Sequence, residues 1–225
     1  MQRKRNQVIL LAVEDLKITC PECGETGDLP VYESVNVTRE PDLKNAVLDA
    51  GLFTWTCPLC GKTVRVSYPF LYHDMKRRLM IHFEPDGAQN SQELAYMTAA
   101  SGLFRGTDYK LRTVQNYEQL LEKICIFDQE LDDRVVELCK AVLIRELAQE
   151  HPELSIRRAL IDVRDDRIYV AFIDIDEDVF AIELPDDLYN RLYDLAYDLI
   201  ADTDTDTFQT VDTAWATRTL SAFSL

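Results

Sequence analysis

Nowhere in the 225 residues is there an apolar run approaching the roughly 20 residues that cross a bilayer. Val8 to Val13 is the nearest candidate and is far too short, so no membrane-spanning helix is expected. Basic residues are also scarce: 24 Lys and Arg stand against 40 Asp and Glu, a formal net charge of −16. An acidic chain repels phosphate backbones, which disfavours general nucleic-acid binding. Histidine occurs three times, and neither a phosphate-cradling loop, a metalloprotease pair nor a nucleophile elbow is present. An enzyme with an unrecognised site in the acidic part therefore stays only as an alternative. A basic opening, Met1 to Arg5, precedes an apolar stretch that Glu14, Asp15 and Lys17 interrupt without a small-residue cleavage signal. No secretory peptide is expected, and a reducing cytoplasm suits the cysteine usage.

The excess of acid is uneven. Residues 1–90 carry 11 Lys plus Arg against 12 Asp plus Glu, whereas residues 91–225 carry 13 against 28. The front of the chain is close to neutral and the rear strongly acidic, which gives a division into residues 1–88, an acidic part at 89–200, and an Asp/Thr-rich linker and tail at 201–225.

What the front does possess is a repeated motif. Cys20-Pro21-Glu22-Cys23-Gly24 and Cys57-Pro58-Leu59-Cys60-Gly61 each offer two thiols across a two-residue gap, followed by glycine. A tight turn with a permissive residue after it lets both sulfurs converge on one ion while backbone N–H groups point at them. Four thiolates in a tetrahedron suit zinc, so Cys20, Cys23, Cys57 and Cys60 are the candidate metal ligands and Zn2+ the candidate cofactor. A redox dithiol would want one pair alone in a thioredoxin-like strand and helix setting, which is absent. Iron, which also takes four thiolates, stays open as the competing metal.

Periodicity supplies the scaffold. Val8 to Thr19 reads as a strand entering the first hook, and Val31 to Thr38 alternates like a half-buried strand. Pro41 suits the first turn of a short helix carrying Leu43, Ala46, Val47 and Ala50, which Gly51 should stop. Leu52, Phe53 and Trp55 approach the second hook, and Val64, Val66, Tyr68 and Phe70 leave it, as core residues. Pro69 to Asp74 reads as a turn-like junction, Leu79 to Phe83 as a strand, Pro85-Asp86-Gly87 as a boundary, Ser91 to Ala100 as a helix, with Gly102 and Gly106 marking its end and the following loop, and Tyr109 to Val114 as a strand. His73 and His82 are expected to be ordinary surface or interface histidines, and Lys76-Arg77-Arg78 solvated charge.

In the rear, Asn116 caps a helix bearing Leu120, Leu121, Ile124 and Phe127, and Leu131 to Leu147 gives a second. The two apolar stripes imply an antiparallel pair, with Cys125 and Cys139 as core residues. Ala159 to Val163, Ile168 to Ile173 and Val179 to Leu184 form an antiparallel meander. Leu188, Leu192, Leu195, Ala196 and Leu199 form a stripe that closes it. Asp174 to Asp178 lacks the glycine and terminal glutamate of a calcium loop. Trp215, Leu220 and Phe223 are expected to dock the tail on its own chain. The fold class is therefore α+β: a zinc-ribbon-like front with an inserted strand and helix, a helical pair, and a small antiparallel sheet closed by a helix.

With these residues in view, the sequence resembles the bacterial CpXC domain family, named for its cysteine-proline-x-cysteine hooks. The two hooks, Leu52-Phe53, Leu71-Tyr72-His73-Asp74 and Asp132 to Glu137 carry the resemblance, over about residues 17–145. It implies metal ligation by the four hook cysteines and supplies no reaction. The resulting expectation is a cytoplasmic, structural zinc-binding module that meets a protein partner or a second copy. A nucleic-acid-associated regulator using the ribbon, motivated by Lys76 to Arg78, is the other reading.

Overall fold

In the computed structural model, which describes residues 13–85, 102, 104, 106–201 and 207–222, each cysteine hook sits at the tip of an antiparallel hairpin. Strands β1 (Val13–Thr19) and β2 (Thr26–Tyr32) flank the first hook, and β4 (Thr54–Thr56) and β5 (Thr63–Arg65) the second. Strand β3 (Ser34–Asn36) and helix α1 (Pro41–Leu48) are inserted between them, with Pro41 in the first turn, where its missing N–H is harmless. The expectations for Val8 to Ala12, Asp86-Gly87, Ser91 to Ala100 and Phe223 lie outside the described residues.

Two local expectations need correction. Val31 to Thr38 is not one strand: the chain leaves β1 at Tyr32 and joins another sheet at Ser34, where β3 pairs in parallel with a later strand, β6. Alternation persists through the break, so periodicity could not reveal the change of partner. Asn36 ends β3 by accepting the N–H groups of Thr38 and Arg39 at 3.2 and 3.1 Å. The other is the stop of α1. Its left-handed residue is Ala50, at φ 61°, whereas Gly51 opens a 3-10 turn, Gly51–Phe53, and donates its N–H to Asp49 Oδ1 at 2.8 Å.

A four-stranded sheet lies behind the hairpins in the order β3, β6 (Phe70–Asp74), β7 (Leu79–Phe83), β8 (Lys110–Val114). Pro69 to Asp74 is thus largely strand rather than junction. Phe70 and Tyr72 pack into the front core, while Leu71 meets Met80 and Leu111 on the opposite side. A strand buried on both faces shows no alternation, which is why its pattern reads ambiguously. This sheet crosses residue 88, since β7 pairs in parallel with β8. The front core crosses it too, taking in Leu120, Ile124 and Phe127 of α2 (Tyr117–Asp128).

Caps set the rear helices. Asn116 Oδ1 accepts from Gln119 N at 2.9 Å at the start of α2. Asp132 Oδ1 accepts from Arg134 N at 3.0 Å at the start of α3 (Asp133–Glu150). Then β9 (Ile156–Arg164), β10 (Arg167–Asp174) and β11 (Val179–Glu183) form the antiparallel meander. Asp165 and Asp166, at φ 48° and 60°, turn its first hairpin in the mirror-image geometry that matches strand twist. Helix α4 (Asp186–Ala201) contributes Leu188, Leu192 and Ala196 to a second core with Val135, Cys139, Val170 and Phe172. The buried ridge follows i, i+4 steps, so Leu195 falls off it and is exposed.

The tail returns to the body. Thr113 N donates to Gln209 O at 2.8 Å and Gln209 N to Leu111 O at 3.2 Å, a parallel bridge on the open edge of β8. Helix α5 (Thr213–Ala222) then buries Ala216 and Leu220 in the second core, with Trp215 packed against it, so the tail docks on its own chain.

Candidate metal centre

The two hooks are built alike. Cys20 N donates to Glu25 O at 2.7 Å and Gly24 N to Cys20 O at 3.0 Å; Cys57 N donates to Lys62 O at 2.8 Å and Gly61 N to Cys57 O at 3.0 Å. Gly24 and Gly61 have φ of 74° and 73°, a left-handed conformation that a Cβ would strain. Each turn buries its first cysteine and exposes its second: Cys20 and Cys57 are in the front core, Cys23 and Cys60 at the surface.

The four Sγ atoms lie within 4.8 Å of one another. Cys20 faces Cys60 at 3.5 Å and Cys23 faces Cys57 at 3.6 Å. Sulfurs about 2.3 Å from a tetrahedral zinc stand about 3.8 Å apart, so the spacing fits one zinc ion, and the all-sulfur donor set matches its chemistry. The proton affinities of the thiols are consistent with a bound cation. Burial raises the Cys20 thiol, but N–H groups of Cys23 and Glu22, with the thiols of Cys60 and Cys23, draw it down to about 7. For Cys23 the N–H of Glu25 lowers the value, yet burial and the thiols of Cys60, Cys57 and Cys20 push it up to about 12. One negative sulfur is easily formed and the next is resisted. A cation would offset the repulsion among thiolates held this close.

Aromatic packing fixes the two hairpins in register. Phe53 meets Tyr68, Phe70, Phe83 and Tyr117 at ring-centroid distances of 5.2, 5.6, 5.8 and 5.5 Å, tying the second hairpin to the sheet and α2. Trp55, buried on β4, lies over Gly27 of β2, where a Cβ would come within 2.7 Å of the indole. Gly27 is thus the place where one hairpin meets the other. Replacing Gly27 by valine should displace Trp55, cost about 1–3 kcal/mol and speed zinc loss to a chelator. Urea unfolding and a colorimetric zinc-release assay would check this, and wild-type behaviour in both would count against that packing role.

Other residues singled out by sequence take structural places. Cys139 is buried and its thiol is pushed up to about 12 by burial; Cys125 is half-buried and raised by the same cause, so both behave as core residues. His73 bridges Asn36 and Tyr109 through its two ring nitrogens, at 3.4 and 3.1 Å. His82 is no surface residue: it is fully buried on β7 beside Phe208, and neither ring nitrogen has a hydrogen-bond partner. Burial lowers its proton affinity, against the opposing pull of the Glu84 carboxylate 4.0 Å from Nδ1. Asp174 Oδ1 accepts the N–H groups of Asp176 and Asp178 at 2.8 and 2.9 Å, and Glu177 pairs with Arg157 and Arg158. The acidic loop is therefore a capped hairpin turn. In the basic cluster, Arg77 pairs with Asp74 and Asp128, and Arg78 with Asp108. Much of the charge that motivated a nucleic-acid reading is neutralised within the chain.

A buried ion network that hydrophobic periodicity does not reveal joins front to rear. Arg112 of β8 grips Asp133 of α3 with two hydrogen bonds of 2.8 Å. Lys123 of α2 reaches Asp133 at 3.1 Å and Glu137 at 3.2 Å, and Lys140 reaches Glu137 at 3.0 Å and Glu122 at 2.9 Å. All six side chains are at most 5 % exposed. A signal existed: Asp133, Glu137 and Lys140 recur at i, i+4 and i+7, and Arg112 interrupts an apolar strand.

Two ribbon hairpins with a four-sulfur cluster, helices and a small antiparallel sheet define a zinc-ribbon-like α+β protein. The family described as CpXC protein matches residues 18–140, more than half of the 225-residue chain, and the chain belongs to that family. Comparison with curated proteins and with solved structures gave no match. Among the described residues no helix is long and apolar enough to cross a membrane.

Proposed function

We propose that this chain is a structural zinc-binding interaction module, with Cys20, Cys23, Cys57 and Cys60 holding one Zn2+ that locks the front and with the acidic rear meeting a partner. The observation that carries the metal half is the gathering of four sulfurs within 4.8 Å at the tips of two matched hairpins. Four protein thiolates complete a tetrahedron, so such a zinc has no position for water to be activated and serves folding rather than hydrolysis. We assign no reaction to it. An all-thiol cage suits a reducing compartment, and we place the protein in the cytoplasm.

The partner half rests on α4. Tyr193, Leu195 and Tyr197 are exposed there beside the exposed acids Asp187 and Asp194. Aromatic rings edged by carboxylates suit a basic protein surface. Native mass spectrometry of protein from unsupplemented cells tests both halves. One zinc per chain is expected, together with an assembled fraction that falls when Leu195 and Tyr197 are changed to lysine. Iron or four free thiols would sink the metal half, and an assembly indifferent to both substitutions would sink the partner half.

A further inference from the structure

The buried charges of the seam are not closed over. Glu122, Lys123, Glu137 and Lys140 line one side of a cavity of about 220 Å³ between α2, the start of β9 and the tail. It opens among Glu118, Arg157, Thr210 and Ala214, all exposed. An ion network that served stability alone would do as well with apolar replacements, and better if tightly packed. Here it faces a space large enough for roughly seven waters.

The donors and acceptors at that wall are not all spent. An ammonium carries three N–H bonds. Lys123 directs them at two carboxylates, Asp133 and Glu137, which leaves one over, whereas Lys140 reaches three carboxylate oxygens, Glu122 Oε1 at 2.9 Å and Glu137 Oε1 and Oε2 at 3.1 and 3.0 Å. Glu122 takes Lys140 at 2.9 Å and the backbone N–H of Ile161 at 2.8 Å, both on Oε1, which leaves Oε2 unused. Arg158, another lining residue, has a buried Nε with no hydrogen-bond partner. Unpaired polar atoms in such a setting are costly unless something else meets them.

The lining also says what would fit. It includes four acidic and four basic side chains, amides and hydroxyls, and no aromatic ring. Balanced charge rejects a strongly charged ion, and the lack of a ring removes the stacking that planar bases need. The volume falls below the roughly 300–1,000 Å³ of drug-sized sites. We infer that this cavity binds a small zwitterion of the α-amino acid class, its carboxylate on the Lys123 ammonium and the Arg158 Nε–H and its ammonium on Glu122 Oε2. Glu122 and Lys123 line the same wall, an acceptor and a donor for the two ends of an α-amino acid.

The experiment is isothermal titration of the zinc-loaded full chain with each of the twenty L-amino acids, and with acetate and methylamine as single-charge probes. At least one amino acid should bind at one per chain with a Kd of about 1 mM or tighter. Glu122→Gln should weaken that binding at least tenfold. Because a buried substitution can unfold the chain, Thr210→Trp at the exposed mouth is the second variant; it should abolish binding while leaving the unliganded melting temperature unchanged. Absence of binding by all twenty, binding that survives Thr210→Trp, or acetate binding as tightly as the best amino acid would each overturn the assignment.

Discussion

Changing Cys57 to serine should yield protein with substoichiometric zinc and a front that exchanges its amide hydrogens freely over β1, β2, β4 and β5. Structural zinc sites contribute apparent free energies of roughly 10–16 kcal/mol near neutral pH, as large as the whole stability of a typical domain, about 5–15 kcal/mol. The two ribbon hairpins are short; β4 and β5 have three residues each. Little besides the metal and the Trp55 contact holds their tips together. The effect should be larger at Cys20 and Cys57 than at Cys23 and Cys60, because the first two also belong to the front core. Strands β9 to β11 pack in the second core and should keep their protection. Elemental analysis after dialysis against a weak chelator, paired with hydrogen exchange, reads both consequences. A serine variant that kept one zinc per chain and native exchange would show that the cage is not what folds the front.

A site built from four residues at fixed spacing is legible in the sequence, and the structure gathers those four sulfurs into one cluster. The hooks announce themselves by covalent spacing, and spacing survives without knowledge of the fold. The rear meander and its helices were equally readable, since one-sided burial imprints a period on Ile156–Arg164 and Arg167–Asp174 that two-sided burial erases in Phe70–Asp74. What could not be read is which strand neighbours which. The step from β2 to β3 at Glu33, and the parallel pairing of β8 with β7 across residue 88, are decided by long-range packing. The same holds for side chains whose polarity misleads. His82 and Arg112 look like surface residues on composition, yet one is sealed against Phe208 and the other is buried because Asp133 answers it.

Arg112→Met should be the most damaging change outside the hooks, by about 3–5 kcal/mol in urea unfolding at neutral pH, because it leaves the Asp133 carboxylate buried without its main partner. The double variant Arg112→Met, Asp133→Leu should recover much of that loss, since removing both charges also removes the desolvation cost. Acidity provides a check that packing defects alone would not reproduce. Burial by itself would raise the Asp133 pKa, but Arg112 and Lys123 outweigh it and hold the carboxyl well below the usual range. A folded-state value below the unfolded one means that Asp133 stabilises the fold above its unfolded pKa of about 3.9 and loses that contribution as pH falls below it. Glu122 acts oppositely: burial raises its pKa despite Lys140, so its share is present in acid and fades as pH rises. Because Asp133 takes two hydrogen bonds from the guanidinium, the stability gap between wild type and Arg112→Met should be widest near neutrality and narrow as the solution is acidified towards and below pH ~4. A gap that stayed constant with pH, or a double variant no better than the single one, would mean that Arg112 is held for its bulk and that the buried ion network does not bind β8 to α3.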